Sequence, residues 1–219
     1  MSGARLFAAF LSLAALAGLP PSAQAQPKRV LIIGDSLSAG YNLPEGTAFP
    51  WALNRRLHMR DRNVAVLDAS EMGDTTGDAL ERLPKAFAYG ADAVIVELGG
   101  NDMLQQEDPA VVYRNLDAIV RYSKARGSRV ILAGMLSYPR RRDLAYKLRF
   151  DWVYPTLAAQ HKVALYPFFL DGVYNNPALI QDDNKHPNVL GSDYIAARMA
   201  PMVERTLRAP ERRRYHAWR

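Results

Sequence analysis

The 219-residue sequence contains no cysteine. This excludes a disulfide framework, a thiol nucleophile, a thiolate metal site and lipidation of an N-terminal cysteine. A chain without thiols suits an oxidising compartment. Glycine-rich phosphate loops are also missing. Neither G-x-G-x-x-G nor G-x-x-x-x-G-K-[ST] occurs, so dinucleotide-binding and P-loop chemistry are excluded. The nucleophile-elbow pattern G-x-S-x-G is not met either. There is no low-complexity segment and no repeat of solenoid length. Histidine is scarce: His58, His161, His186 and His216 are the four present, and none forms an i,i+4 zinc-type pair.

One apolar run stands out, and it lies at the start. Arg5 precedes Leu6–Leu19, Pro20 and Pro21 interrupt the run, and Ala23-Gln24-Ala25 follows as an A-x-A cleavage signal. The run is short for a membrane span of about 20 residues, so residues 1–25 read as a secretory signal peptide rather than an uncleaved anchor. The expected product is a periplasmic or secreted protein. Residues 26–208 form one domain large enough for a sizeable core, since 49% of the sequence is hydrophobic. The formal charge is +6, part of it in the basic tail 209–219. That tail reads as a solvated end with at most weak contact to anionic lipid, and nucleic acid is not an expected partner of an exported chain.

Short continuous apolar runs recur at Val30–Ile33, Val64–Leu67, Ala93–Val96 and Val130–Ala133, with a weaker one at Val163–Tyr166. Runs without alternation suit strands buried on both faces. Segments of helical spacing separate them, the last following Pro187, which suits a first-turn position. Strand and helix alternate about five times, which implies a parallel sheet with helices on both faces. In such folds the active site lies beyond the carboxyl ends of the strands.

Polar clusters stand at those positions. Gly34-Asp35-Ser36 follows the first run, Asp68–Thr75 the second and Glu97–Asp102 the third. Gln181–Pro187 follows the fifth. A serine hydroxyl needs a base, the base needs a third group to hold it, and the oxyanion needs fixed donors. His186 is the one histidine in such a loop among acids, and Asp183, three residues earlier, is placed to orient its Nδ1. Asn101 offers a carboxamide donor and Gly73 a backbone N–H. A metal held by Asp182, Asp183 and His186 is a weaker alternative, since the triad uses two of them.

These blocks, "GDSLSAGYNLP", "GDTT", "VIVELGGND" and "DDNKHPN", resemble in order and spacing those of the GDSL-type or SGNH hydrolases. The resemblance covers nearly the whole mature chain and is nearest the bacterial periplasmic thioesterase/lysophospholipase/arylesterase subgroup. It implies a flavodoxin-like three-layer α/β/α sandwich with no metal or cofactor. It implies Ser36 as nucleophile, His186 as base and then acid, and Asp183 as its orienting group. The oxyanion hole would comprise Ser36 N–H, Gly73 N–H and Asn101, while Asp35 would be structural. The expected activity is a serine esterase acting on acyl esters, thioesters or lysophospholipids through an acyl-enzyme, working as a monomer. A carbohydrate O-deacetylase on the same fold and a non-catalytic binding module are the alternatives. The chain departs from the subgroup in Met103–Pro109, which has no glycine, and in the basic segment Arg140–Arg142, a solvated helix start or an attractor of anionic substrates.

Overall fold

The computed structural model describes residues 26–137 and 143–208. The leader, Arg140–Arg142 and the basic tail lie outside the described residues. The sheet is built from β1 (Lys28–Gly34), β2 (Val64–Asp68), β3 (Ala93–Glu97), β4 (Arg129–Ala133) and β5 (Ala164–Tyr166). All neighbours are parallel, in the order β2-β1-β3-β4-β5. Five parallel strands between two helical layers are the architecture the apolar runs imply.

The central strands are apolar on both faces because both faces are covered. Val30, Ile32 and Ile33 of β1 and Ala93–Val96 of β3 have no exposed surface. The edge strands differ. Val66 and Leu67 of β2 are half-buried, and β5 has three residues. A short edge limits unpaired backbone, and on β2 the Val66 N–H is taken by Asn54 Oδ1 at 3.1 Å.

On one face α2 (Phe49–His58) packs against α9 (Val189–Arg208). On the other lie α3 (Thr76–Glu81), α6 (Pro109–Ala125) and α8 (Val153–His161), with α4 (Leu83–Ala86) continuing from α3 and α7 (Leu144–Asp151) leading into α8. Local signals fix the starts of these helices. Thr75 and Asp78 form a capping box for α3, while Asp108 caps α6 with Pro109 in its first turn. Pro187 does not take the first-turn position its spacing suggests. It pairs with Ile180 in an isolated β-bridge, and α9 starts at Val189. Asn188 is the better cap: its Oδ1 accepts the Gly191 N–H at 2.9 Å.

The strand order places the site. After β1 the chain passes to the α2 layer, and after β3 to the α6 layer. The carboxyl ends of β1 and β3 are neighbours in the sheet, so their outgoing loops diverge and leave a crevice between them. Two short helices begin there, α1 (Ser36–Ala39) and α5 (Gly100–Gln105).

Candidate active site

Ser36 owes its place to the residues on either side. β1 ends at Gly34, and Asp35 caps α1 by accepting the Leu37 N–H at 2.9 Å. Gly40, left-handed, closes the other end with its N–H on Ser36 O at 3.2 Å. Ser36 is thus the first residue of a single capped turn, and its own N–H has no acceptor inside that helix. Its Oγ lies 2.9 Å from His186 Nε2, 150 residues away in the chain.

The loop bearing His186 is held on several sides. The Ile180–Pro187 bridge pins its base. Gln181 donates its backbone N–H to His186 O at 2.8 Å, and its Nε2 to Pro187 O at 2.9 Å and Tyr41 O at 2.8 Å. The Tyr41 ring covers one side of the imidazole, with centroids 4.5 Å apart. Asp183 Oδ1 accepts the N–H groups of Lys185 at 2.9 Å and His186 at 3.0 Å, and Oδ2 lies 2.5 Å from His186 Nδ1. Burial alone would raise the Asp183 carboxyl. The hydrogen bonds from the His186 side chain and the two backbone N–H groups outweigh it and bring it down to about 2. Asp183 is therefore an ionised acceptor at neutral pH. It fixes the proton on Nδ1, which leaves the Nε2 lone pair facing Ser36.

Gly73 and Asn101 reach the same place from β2 and β3. Gly73 stands at φ +87°, a left-handed conformation suited to glycine, with open space within 4 Å of where a Cβ would be. Asn101 donates through Nδ2 to Asp74 O at 2.8 Å and stands 3.4 Å from Asp35 Oδ2. One amide hydrogen is thus anchored, and the other makes only a long contact. Ser36, Gly73, Asn101 and His186 line one cavity of about 500 Å³. Its apolar wall comes from Leu37, Met72, Met103, Leu104, Met135 and Leu170. A groove of about 490 Å³ along β2 contains neither serine nor histidine.

Buried acids lie beneath the cavity. Burial first, then the charges of Asp102 and Asp74, push the Asp35 carboxyl up to about 7. Burial also raises Asp102, although it accepts the Thr76 N–H at 2.9 Å and hydroxyl at 2.6 Å. Arg82 binds Asp74, Ala69 O and Gly34 O, clamping the loop that carries Gly73.

Residues 32–194 match the GDSL-like lipase/acylhydrolase family. The chain belongs to that family.

It is 36% identical over 187 residues to an arylesterase of Vibrio mimicus, spanning 85% of this chain and 92% of the relative. It is 36% identical over 176 residues to thioesterase 1/protease 1/lysophospholipase L1 of Escherichia coli K12, spanning 80% and 83%. The crystal structure of the psychrotrophic esterase EstA from Pseudoalteromonas, inhibited by monoethylphosphonate, superposes with a TM-score of 0.76 at 27% identity, over 81% of this chain and 97% of EstA. This GDSL-family chain is a carboxylic ester hydrolase, which sets aside the binding-module alternative.

All five site residues expected from the GDSL-type blocks, Ser36, Gly73, Asn101, Asp183 and His186, meet at one cavity. The other described histidines do not line it. His58 ends α2, and His161 ends α8, where it meets Asp117 at 2.6 Å. Sequence reasoning did not find Arg82, Thr76 or Tyr41, which hold the loops in place. "GDTT" and "GGND" contain the Thr76–Asp102 pair, but only the fold shows that they bond. The glycine-free segment Met103–Pro109 begins as the second half of α5, which ends at Gln105, and Gln106, at φ 63°, takes the left-handed cap that glycine often supplies. Among the described residues no helix is long and apolar enough to cross a membrane.

Proposed function

We propose that this ester hydrolase works through Ser36, His186 and Asp183. The observation that carries the proposal is the unbroken relay from Ser36 Oγ to His186 Nε2 and from His186 Nδ1 to Asp183, opening onto an apolar cavity. His186 takes the Ser36 proton as Oγ attacks the acyl carbon. Ser36 N–H, Gly73 N–H and Asn101 Nδ2 receive the developing oxyanion. Collapse of the tetrahedral intermediate breaks the bond to the leaving group, which takes the proton from His186. Water, deprotonated by His186, then attacks the acyl-Ser36 ester; the bond to Ser36 Oγ breaks, Oγ takes the proton back from His186, and the acid is released. Asp183 stays ionised and holds the imidazole throughout.

The methionine- and leucine-lined cavity supports an acyl chain as the recognised group, over an acetyl group carried on a glycan. The names of the relatives add thioesters and lysophospholipids to aryl esters as substrates. The leader pattern supports export to the periplasm or beyond, and the chain is taken to act as a monomer without a cofactor.

The test is a hydrolysis panel with purified mature protein: p-nitrophenyl esters of graded length, an acyl-CoA, a lysophospholipid and an acetylated xylan. Turnover is expected to rise from acetyl to longer acyl esters. Hydrolysis of the acetylated xylan alone would overturn the substrate assignment. Asn101→Ala is expected to lower kcat by about 10²- to 10³-fold with little change in KM, measured on the best ester of that panel. A KM effect alone would take Asn101 out of the oxyanion hole.

A further inference from the structure

Glu97, the last residue of β3, has no exposed surface and no part in the relay above. Its Oε2 lies 2.6 Å from the hydroxyl of Ser38, which is equally buried, and its Oε1 has no hydrogen-bond partner. A carboxylate with a bare oxygen in the core carries a large desolvation cost, whereas a neutral carboxyl leaves only an uncharged polar group unpaired. Burial first, and then the charge of Asp35, push the Glu97 carboxyl well above the usual range, in agreement with that geometry.

Ser38 sits two residues after Ser36 in the same turn. A four-residue helix has too few internal bonds to hold itself, so its position depends on what grips its residues. Asp35 grips the start and Gly40 the end, and Ser38 is gripped from below by β3. Glycine at position 34 permits this approach. A Cβ there would stand 2.7 Å from Ser38 Cβ, 2.8 Å from Ser38 Oγ and 3.0 Å from Glu97 Oε2.

We propose that Glu97 is a positioning residue for ester hydrolysis: by holding Ser38 it seats α1 on β3 and so sets Ser36 Oγ against His186. The role needs a hydrogen-bonding group of this size, not a charge. It rests on Ser36 being the nucleophile, and the test separates the two.

The variants Glu97→Gln, Glu97→Ala and Ser38→Ala would be compared by kcat and KM per active site, with sites counted by stoichiometric labelling with a fluorophosphonate. Glu97→Gln retains a partner for Ser38 and is expected to keep kcat within about threefold, the scale of one neutral hydrogen bond. Glu97→Ala is expected to lose roughly tenfold to a hundredfold in kcat, and Ser38→Ala about tenfold, as for a nucleophile misplaced by about 1 Å. KM should stay near the wild-type value in all three, and the labelling rate should fall in step with kcat. A merely structural residue would lower the number of labelled sites and leave kcat per site unchanged, which would overturn the proposal. Full kcat per site in Ser38→Ala would also overturn it, as would a Glu97→Gln loss as deep as that of Glu97→Ala. If Glu97→Ala does not fold, the other two variants decide the question. Absence of labelling in the wild type would instead overturn Ser36 as nucleophile.

Discussion

Replacing Ser36 with alanine is expected to lower kcat on any ester substrate by about 10⁴- to 10⁶-fold, the range of triad deletions in serine hydrolases. The fold should be unaffected. The cap of α1 is made by the Asp35 side chain on the Leu37 N–H, and Gly40 closes the turn through backbone atoms, so neither cap uses the Ser36 hydroxyl. The side-chain partner of Ser36 Oγ is His186, whose ring is still held by Asp183 and Tyr41. Stability should therefore change by no more than about 0.5 kcal/mol. Slow turnover should persist, because the donors proposed for the oxyanion on Gly73 and Asn101 remain, as does the apolar cavity. The measurements are kcat on a p-nitrophenyl ester, fluorophosphonate labelling and a urea unfolding curve. A variant that keeps a tenth of the activity in a preparation free of other esterases would remove Ser36 from the mechanism. Loss of activity together with loss of folded protein would show that the position is structural.

The parts of the structure legible in the sequence were those with local causes. Val30–Ile33 and Ala93–Val96 announce buried strands because every residue in them is apolar, and both runs prove buried. Ser36, Asn101 and His186 stand out because a polar cluster directly after a strand, or in a late loop, has no packing reason to be there. The short helices were not legible. α1 has four residues and α5 six, less than two turns each, so no apolar periodicity can develop. The inner face of α7 was obscured for another reason: Leu144 and Leu148 face solvent while Phe150 is buried, so its apolar residues do not mark one side. Pro187 shows how two valid local signals compete, and Asn188 wins as the cap of α9.

The contacts that hold the site were illegible for a deeper reason. Thr76 with Asp102, Arg82 with Gly34 O and Ser38 with Glu97 join residues 26, 48 and 59 positions apart. Each residue is unremarkable in its own segment. The strand order brings them together, and burial then changes their chemistry. Asp35, Asp102 and Glu97 belong to polar clusters in the sequence, but their burial is not legible there: each is buried and has its carboxyl raised by desolvation. Asp183 shows the opposite balance: three donors converge on it and its carboxyl falls to about 2. The same residue type thus serves as a raised acid in the floor and as a fixed anion in the relay.

That fixed anion underlies the second large effect. Asp183→Asn is expected to cost about 10⁴-fold in kcat, as loss of the orienting aspartate does in serine triads, although the substitution is nearly isosteric. The N–H groups of Lys185 and His186 both point at Oδ1, so the amide oxygen of asparagine must occupy that position. Its NH₂ then faces His186 Nδ1, where the carboxylate accepted a hydrogen bond. Two donors cannot face each other, so the imidazole must carry its proton on Nε2 and accept at Nδ1. Nε2–H is then a donor toward Ser36 Oγ and can no longer take its proton. Binding should be spared, so KM should change little while kcat collapses. The pH dependence of folding supplies a second check. A carboxyl lowered from 3.8 to about 2 on folding contributes stability above its unfolded value, and that contribution is lost as pH falls toward 2. The stability difference between wild type and Asp183→Asn should therefore be largest near neutral pH and shrink steadily below pH about 4, as measured by urea unfolding at a series of pH values. A difference independent of pH over that interval, or a kcat within about tenfold of wild type, would mean that Asp183 does not hold His186 as an ionised acceptor.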